Sequence, residues 1–152
     1  MGYTLDNQNL INQALPMFLK ANFHAKLHEL WAKLTHRCFC LLNLDDAFKR
    51  APIKSSHYEG VKDVDIRSIR GTQGKANDFD AEFNPTQWRS SDRWLTIASE
   101  KMRGRELPPV ELIQIGDIYY VRDGHHRISV SRSMGQAFID AEITVMQLEH
   151  NN

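Results

Sequence analysis

Apolar positions in the first third of the chain recur with a helical period. Phe23, Leu27, Leu30, Trp31 and Leu34 stand at i, i+4, i+7, i+8 and i+11, which places them along one side of a helix. Pro16 is expected to divide that helix from a shorter segment carrying Leu10, Ile11 and Ala14, because proline lacks the N–H that a helix interior uses. Asp45 is suited to cap a brief helix through Phe48, and Ala51 to Gly60 reads as a linker. The apolar stripe has to cover something: the rest of the chain or a second copy of it.

The period changes from Val61. Val61, Val64 and Ile66 suggest a short strand, followed by a glycine-containing loop from Arg70 to Lys75. Ser90 or Ser91 is placed to cap a helix with Asp92 in its first turn, apolar Trp94, Ile97, Ala98 and Met102, and Gly104 as its stop. Pro108-Pro109 leads into the strand Val110 to Ile115, and Gly116-Asp117 turns the chain back into Ile118 to Val121. Ile128 to Met134 can wind into a helix ending at Gly135. Ile139, Ala141, Ile143 and Val145 then alternate with Asp140, Glu142 and Thr144, as in a half-buried strand. Strand, loop, helix, hairpin, helix, strand is the order of a small mixed α+β domain. The reading divides the chain into a helical N-terminal extension, residues 1–59, and a domain, residues 60–152.

Composition narrows the classes without choosing one. The chain has 152 residues, 41% hydrophobic and 25% charged, as in ordinary globular proteins. Nineteen basic and nineteen acidic residues leave no net charge, so a tight, nonspecific grip on DNA phosphates is not expected. No apolar run approaches the roughly 20 residues that span a bilayer, and the polar start with Asp6 lacks the basic region of a secretory signal. Cys38 and Cys40 are too few for a disulfide framework and sit too close for an easy bridge, which favours a reducing cytoplasm.

The chemistry concentrates in Asp123-Gly124-His125-His126-Arg127. A strand that turns through glycine into a helix points the helix's free N–H groups at a crevice, and two histidines and an arginine add donors suited to phosphate. Arg127 can fork onto phosphate oxygens, and His126 can offer a ring N–H. His125 can reach a terminal phosphate or act as acid and base near neutral pH. Asp123 has two readings, an N-cap of the helix or a carboxylate for Mg²⁺ beside the phosphates. Gly71-Thr72-Gln73-Gly74-Lys75 lacks the Walker spacing, yet Thr72 and Lys75 could still face a phosphate. Asp78 and Asp80 share one face if the stretch is strand-like, and they are the carboxylates best suited to activate a hydroxyl or hold a metal. Ser91 and Arg93 sit at a helix start that could adjoin the same pocket. His24, His28, His36, Cys38 and Cys40 invite a zinc reading, but Cys-x-Cys departs from the usual ligand spacing. Trp31, Trp88 and Trp94 read as core or interface residues.

Pro108-Pro109-Val110-Glu111-Leu112, the hairpin, Gly124-His125-His126-Arg127, the helix stopping at Gly135 and the strand from Ile139 resemble the ParB N-terminal and sulfiredoxin superfamily. The resemblance covers roughly Val61 to Gln147 and is nearest to stand-alone bacterial ParB-like proteins with a helical N-terminal segment. Ile69-Arg70-Gly71-Thr72 and Asp78-Phe79-Asp80 are similar to that subgroup too. It implies a small mixed sheet flanked by helices and a pocket for Mg²⁺ with a nucleoside triphosphate, CTP or ATP. Gly124, His125, His126, Arg127, Thr72 and Lys75 would surround the phosphates, with catalysis by Asp78, Asp80 or His125. Relatives use the pocket to clamp DNA with CTP, to repair a cysteine sulfinate with ATP or to phosphorylate free serine. His125 stands where sulfiredoxins carry cysteine, which leaves sulfinate repair without its local thiolate. No helix-turn-helix pattern follows the motif. The expectation is a nucleotide hydrolase or small-molecule phosphotransferase; the alternative is a non-catalytic, DNA-associated regulatory module, with a nuclease as a weaker third. Its partners would be a nucleotide, DNA or a DNA-bound protein, and a second copy through the N-terminal helices.

Overall fold

In the computed structural model, which describes residues 2–149, the N-terminal part of the chain forms one helix, α1 (Gly2–Thr35). Pro16 lies inside it and does not split it, contrary to expectation. Tertiary packing outweighs the lost hydrogen bond: Ala14 and Phe18, on either side of the proline, are both buried against Trp94, Ala98 and Val130. Strand β1 (Leu42–Asn43) and helix α2 (Leu44–Arg50) follow. Asn43 caps α2 by accepting from the Asp45 N–H at 3.0 Å, so the cap lies just before the helix and Asp45 sits in its first turn.

The expected linker is a strand. β2 (Ile53–Asp65) pairs antiparallel with the C-terminal strand β6 (Phe138–Leu148) along nearly its whole length. Its polar residues suit a sheet edge, where charged side chains discourage further pairing, and its partner comes from the other end of the chain rather than from a local pattern. A division between residues 59 and 60 therefore falls inside β2, and the first 59 residues contribute to the sheet as well as carrying helices.

A short 3₁₀ turn at Ile66–Ser68 leads into β3 (Ile69–Thr72), which occupies the start of the expected loop. Another at Trp88–Ser90 runs directly into α3 (Ser91–Met102), and neither serine caps it because Ser90 already has helical backbone angles. The hairpin forms as its pattern indicates, with β4 (Val110–Ile115) and β5 (Ile118–Asp123), and α4 (His125–Ser133) follows. The six described strands make one mixed sheet in the order β1-β3-β5-β4-β6-β2, so the protein is α+β.

Among the described residues, three apolar clusters hold the layers together. One face of the sheet packs Leu112, Val121, Ala141 and Ile143 against Ile128 of α4, Phe79 and Phe83. The other face packs Ile113 and Tyr120 under Leu44 of α2. The third cluster joins α1, α3 and α4 through Phe18, Trp94 and Val130. Trp94 is thus core, whereas Trp31 and Trp88 are largely exposed, Trp88 meeting Phe18 only edge-on. Gly71 lets Tyr120 lie over β3, since a Cβ there would come within 2.2 Å of its ring. No helix among the described residues is long and apolar enough to cross a membrane.

Cys38 and Cys40 are bonded to each other with their Cα atoms 5.3 Å apart, which overturns the expectation that their spacing discourages a bridge. The bond also removes both thiolates from the zinc reading. The bonded turn joins α1 to β1. At its centre the Phe39 carbonyl accepts the Ala81 N–H, and the Phe39 ring packs on His28.

Candidate functional site

The strand-to-helix turn is built by close packing. Gly124 follows β5 with φ +104°, and a Cβ there would lie 2.5 Å from the Val110 side chain of β4. The helix therefore begins hard against the sheet, at the ends of two adjacent parallel strands, β3 and β5. α4 is fixed from behind by Trp94 Nε1, which donates to Ser129 Oγ at 2.9 Å, and by Ile128 and Val130 in two different clusters. Its first intrahelical bond is Ile128 N–H to the Gly124 carbonyl, and no side chain caps it. The N–H groups of His125, His126 and Arg127 consequently have no partner within the helix.

His125 is buried, and its Nε2 lies 2.7 Å from Thr72 Oγ1. The Thr72 hydroxyl donates to the Gly74 carbonyl at 3.1 Å, so its oxygen is left to accept from a His125 Nε2–H. In a neutral ring this is the Nε2–H tautomer. Burial, with the nearby Lys75 charge and His126, pushes the His125 pKa down to about 4. His126 is also pushed down to about 4, by burial first, then by the charges of Arg93 and Lys75. Both rings pack on Phe79, His125 stacked at 6.0 Å and His126 edge-on at 5.2 Å.

His126 differs from His125 in one respect. Its Nε2 is buried and has no hydrogen-bond partner among the described residues. Buried polar atoms are nearly always paired, so this orphan at a helix N-terminus is unusual, and a ligand atom would meet it only with the ring turned out from its packing on Phe79. Lys75 and Arg93, whose charges bear on this ring, also make no ion pair or side-chain hydrogen bond among the described residues.

The other residues named from the sequence fall elsewhere. Arg127 lies beside the helix start but is fully engaged there: Nη1 donates to the carbonyls of Pro108 and Pro109, the latter at 2.8 Å, and Nη2 to Asp123 at 2.9 Å. Its guanidinium clamps the loop before β4 rather than lying open to phosphate. Asp123 does not cap α4, because Gly124 occupies the cap position and the Asp123 carboxylate is held by Arg127. Asp78 and Asp80 do not share a face, since the segment is a turn followed by isolated bridges, with Phe79 buried between them. Asp78 pairs with Arg89 at 3.7 Å, and its negative charge favours protonation of both histidines. Asp80 is buried and accepts the Glu82 and Asn84 N–H groups, both at 2.9 Å, the Asn84 side-chain amide at 3.0 Å and His28 Nδ1 at 2.7 Å. Its four bonds organise the loop that carries Phe79. The His28–Asp80 pair is invisible in the sequence, where the partners stand 52 residues apart.

A cleft of about 600 Å³ opens on the Arg127 side, bordered by Lys101, Arg105, Pro108 and Ser131. A smaller one of about 310 Å³ lies between α1 and the Asn77–Asp80 segment, with Phe79 in its wall. Among the described residues, no group of three or more His, Cys, Asp and Glu side chains is placed to hold a metal ion.

The histidines also set how stability responds to acid. Their folded pKa values near 4 lie below the ordinary 6.5, so the unfolded chain takes up protons first as pH falls. Their contribution is flat above about pH 7 and declines from about pH 6.5 toward 4, by about 3 kcal/mol for buried His125. His125→Gln keeps a donor for Thr72 but does not titrate. Thermal melts from pH 7.5 to 4.5 should show a shallower fall in Tm for this variant than for the unaltered protein, over a window of about 3 pH units. Parallel curves would show that His125 titrates normally in the folded state.

Fold and turn together define a mixed α+β protein with a cation-flanked, histidine-lined helix N-terminus at the ends of adjacent inner strands. No protein-family model matches the chain, and no curated protein or solved structure matches it either.

Proposed function

We propose that the protein binds a nucleoside triphosphate, with its phosphates at the start of α4, and uses it in Mg²⁺-dependent hydrolysis or phosphotransfer. The observation that carries this reading is the unpartnered Nε2 of His126 beside the free N–H groups of the helix's first turn. Lys75 and Arg93 supply the positive charge that a polyphosphate needs. The resemblance of Gly124-His125-His126-Arg127 and its flanking hairpin to ParB and sulfiredoxin-type domains supports the same reading.

The geometry supports the following roles. Neutral His126 donates from Nε2 to a phosphate oxygen, while Lys75 and Arg93 neutralise the charge that accumulates during transfer. His125 positions the Thr72 loop from within and does not face the phosphates, since its Nε2 is taken by Thr72. Mg²⁺ is commonly held by one or two carboxylates together with the phosphates themselves, and Asp78 is the carboxylate whose charge reaches both histidines. Asp123 and Asp80 fit that task poorly, being engaged by Arg127 and by four donors respectively. Arg127 acts on the shape of the pocket's rim through Pro108 and Pro109.

Calorimetry with ATP, CTP, GTP and UTP in the presence of Mg²⁺ tests the proposal. At least one nucleotide should bind, and Lys75→Ala combined with Arg93→Ala should weaken it about tenfold or more, roughly 1.4 kcal/mol. His126→Phe, which fills the ring's place without a donor, should weaken it comparably. Binding of no nucleotide by folded protein, or affinity indifferent to these changes, overturns the reading. In that event, a DNA shift assay at low salt addresses the regulatory alternative.

A further inference from the structure

Helix α1 has two apolar faces. Ala14, Phe18, Ala21 and Ala25 are buried, and their spacing of four, three and four residues places them on one side, where Ala14 and Phe18 meet α3 and α4 and Ala25 faces the segment from Asn77 to Gln87. Phe23, Leu27, Leu30 and Leu34 repeat the same spacing on the side roughly 180° away. Those four, with Leu19 and Trp31 beside them, are 38–70% exposed and join none of the apolar clusters of the described residues. The stripe expected to cover either the chain or a second copy does not cover the chain.

Its size and pattern indicate what does cover it. The six side chains present on the order of 600 Å² of apolar surface, near the roughly 800 Å² per partner of a stable interface. A patch of that extent lies at the upper end of what monomers expose, where such patches commonly mark an interaction site. The four-three-four spacing is that of an a/d seam in paired helices, and such a stripe is complementary to itself about a two-fold axis. Charge opposes the pairing only weakly. Lys26 and Lys33 border the seam and share Glu29 within the chain, at 3.5 and 3.1 Å, which leaves one net positive charge among three exposed side chains. The domain lies on the opposite side of α1, so it leaves room for a second helix.

We propose that the protein is a homodimer joined through the outer face of α1, with Phe23, Leu27, Leu30 and Leu34 as the seam and Leu19 and Trp31 at its flanks. Light-scattering mass and sedimentation of the full chain at about 10 µM test it. The unaltered protein should have twice the 17.6 kDa chain mass. Leu30→Glu with Leu34→Glu should give the monomer mass with an unchanged far-ultraviolet circular dichroism spectrum, since neither side chain is in the protomer's core. Should the charged variant misfold, Leu27→Ala with Leu30→Ala removes contact without adding charge and should raise the dimer dissociation constant at least tenfold. A monomeric unaltered protein, or a dimer whose stability ignores the tested substitutions, overturns the proposal.

Discussion

Asp80→Ala is expected to lower stability by about 4 kcal/mol, because it removes the acceptor of four hydrogen bonds at a buried site. The Glu82 and Asn84 N–H groups would lose their partner in a tight loop, and His28 would lose the carboxylate that orients it. In a chain of this size the change amounts to a fall in Tm of about 10 °C or more. Asp80→Asn retains one oxygen acceptor and should recover about half of the loss. Urea unfolding of the three proteins provides the measurement. If Asp80→Ala stays within about 1 kcal/mol of the unaltered protein, the loop is held some other way. The Asn variant also separates two roles for this residue. A catalytic carboxylate would lose turnover with little loss of stability, whereas the bonding described here predicts loss of stability first.

Gly124→Ala should cost about 3 kcal/mol through two separate causes. At φ +104° an alanine carries the left-handed backbone penalty of about 1–2 kcal/mol. Its Cβ would also meet Val110 at 2.5 and 2.8 Å, and relieving that overlap costs about 1–3 kcal/mol more. Val110→Ala removes the Cγ1 contact but keeps the Cβ at 2.8 Å, so it relieves the second cause in part and leaves the first, and the double variant should lose less than the two single variants added together. Strict additivity in denaturant unfolding would show that α4 starts farther from β4 than the structure places it. A shift of α4 also moves the His126 ring and the free N–H groups, so the proposed nucleotide binding should weaken in parallel with stability.

The legibility of this fold follows from the range of the interactions that make each element. The β4–β5 hairpin and the alternation in β6 are local patterns, and they lie where the residues indicate. β2 is hidden in the sequence because Lys54 to Tyr58 is mostly polar, and only pairing with β6, as between Tyr58 and Thr144, makes it a strand. Pro16 misleads in the opposite direction, since a rule about single residues gives way where flanking side chains are buried. The motif Gly124-His125-His126-Arg127 is legible as a strand-to-helix turn, but nothing in its residue types tells which of its side chains stay open. Arg127 meets Pro108 and Pro109, and His125 meets Thr72, through contacts 18 to 53 residues apart.

Local sequence therefore suffices for the mixed α+β class, the hairpin, the closing strand and the glycine turn that starts α4. All of these depend on periodicity and backbone preference, which neighbouring residues specify. That Asp80 holds a loop, that Arg127 clamps a rim and that His126 keeps an unpartnered nitrogen emerge only once the chain is folded. So does the orientation of α1, which covers the domain with its alanine face and leaves its leucine face open. A polar group's role depends on which partners reach it, and those partners are brought together by packing between segments distant in the chain.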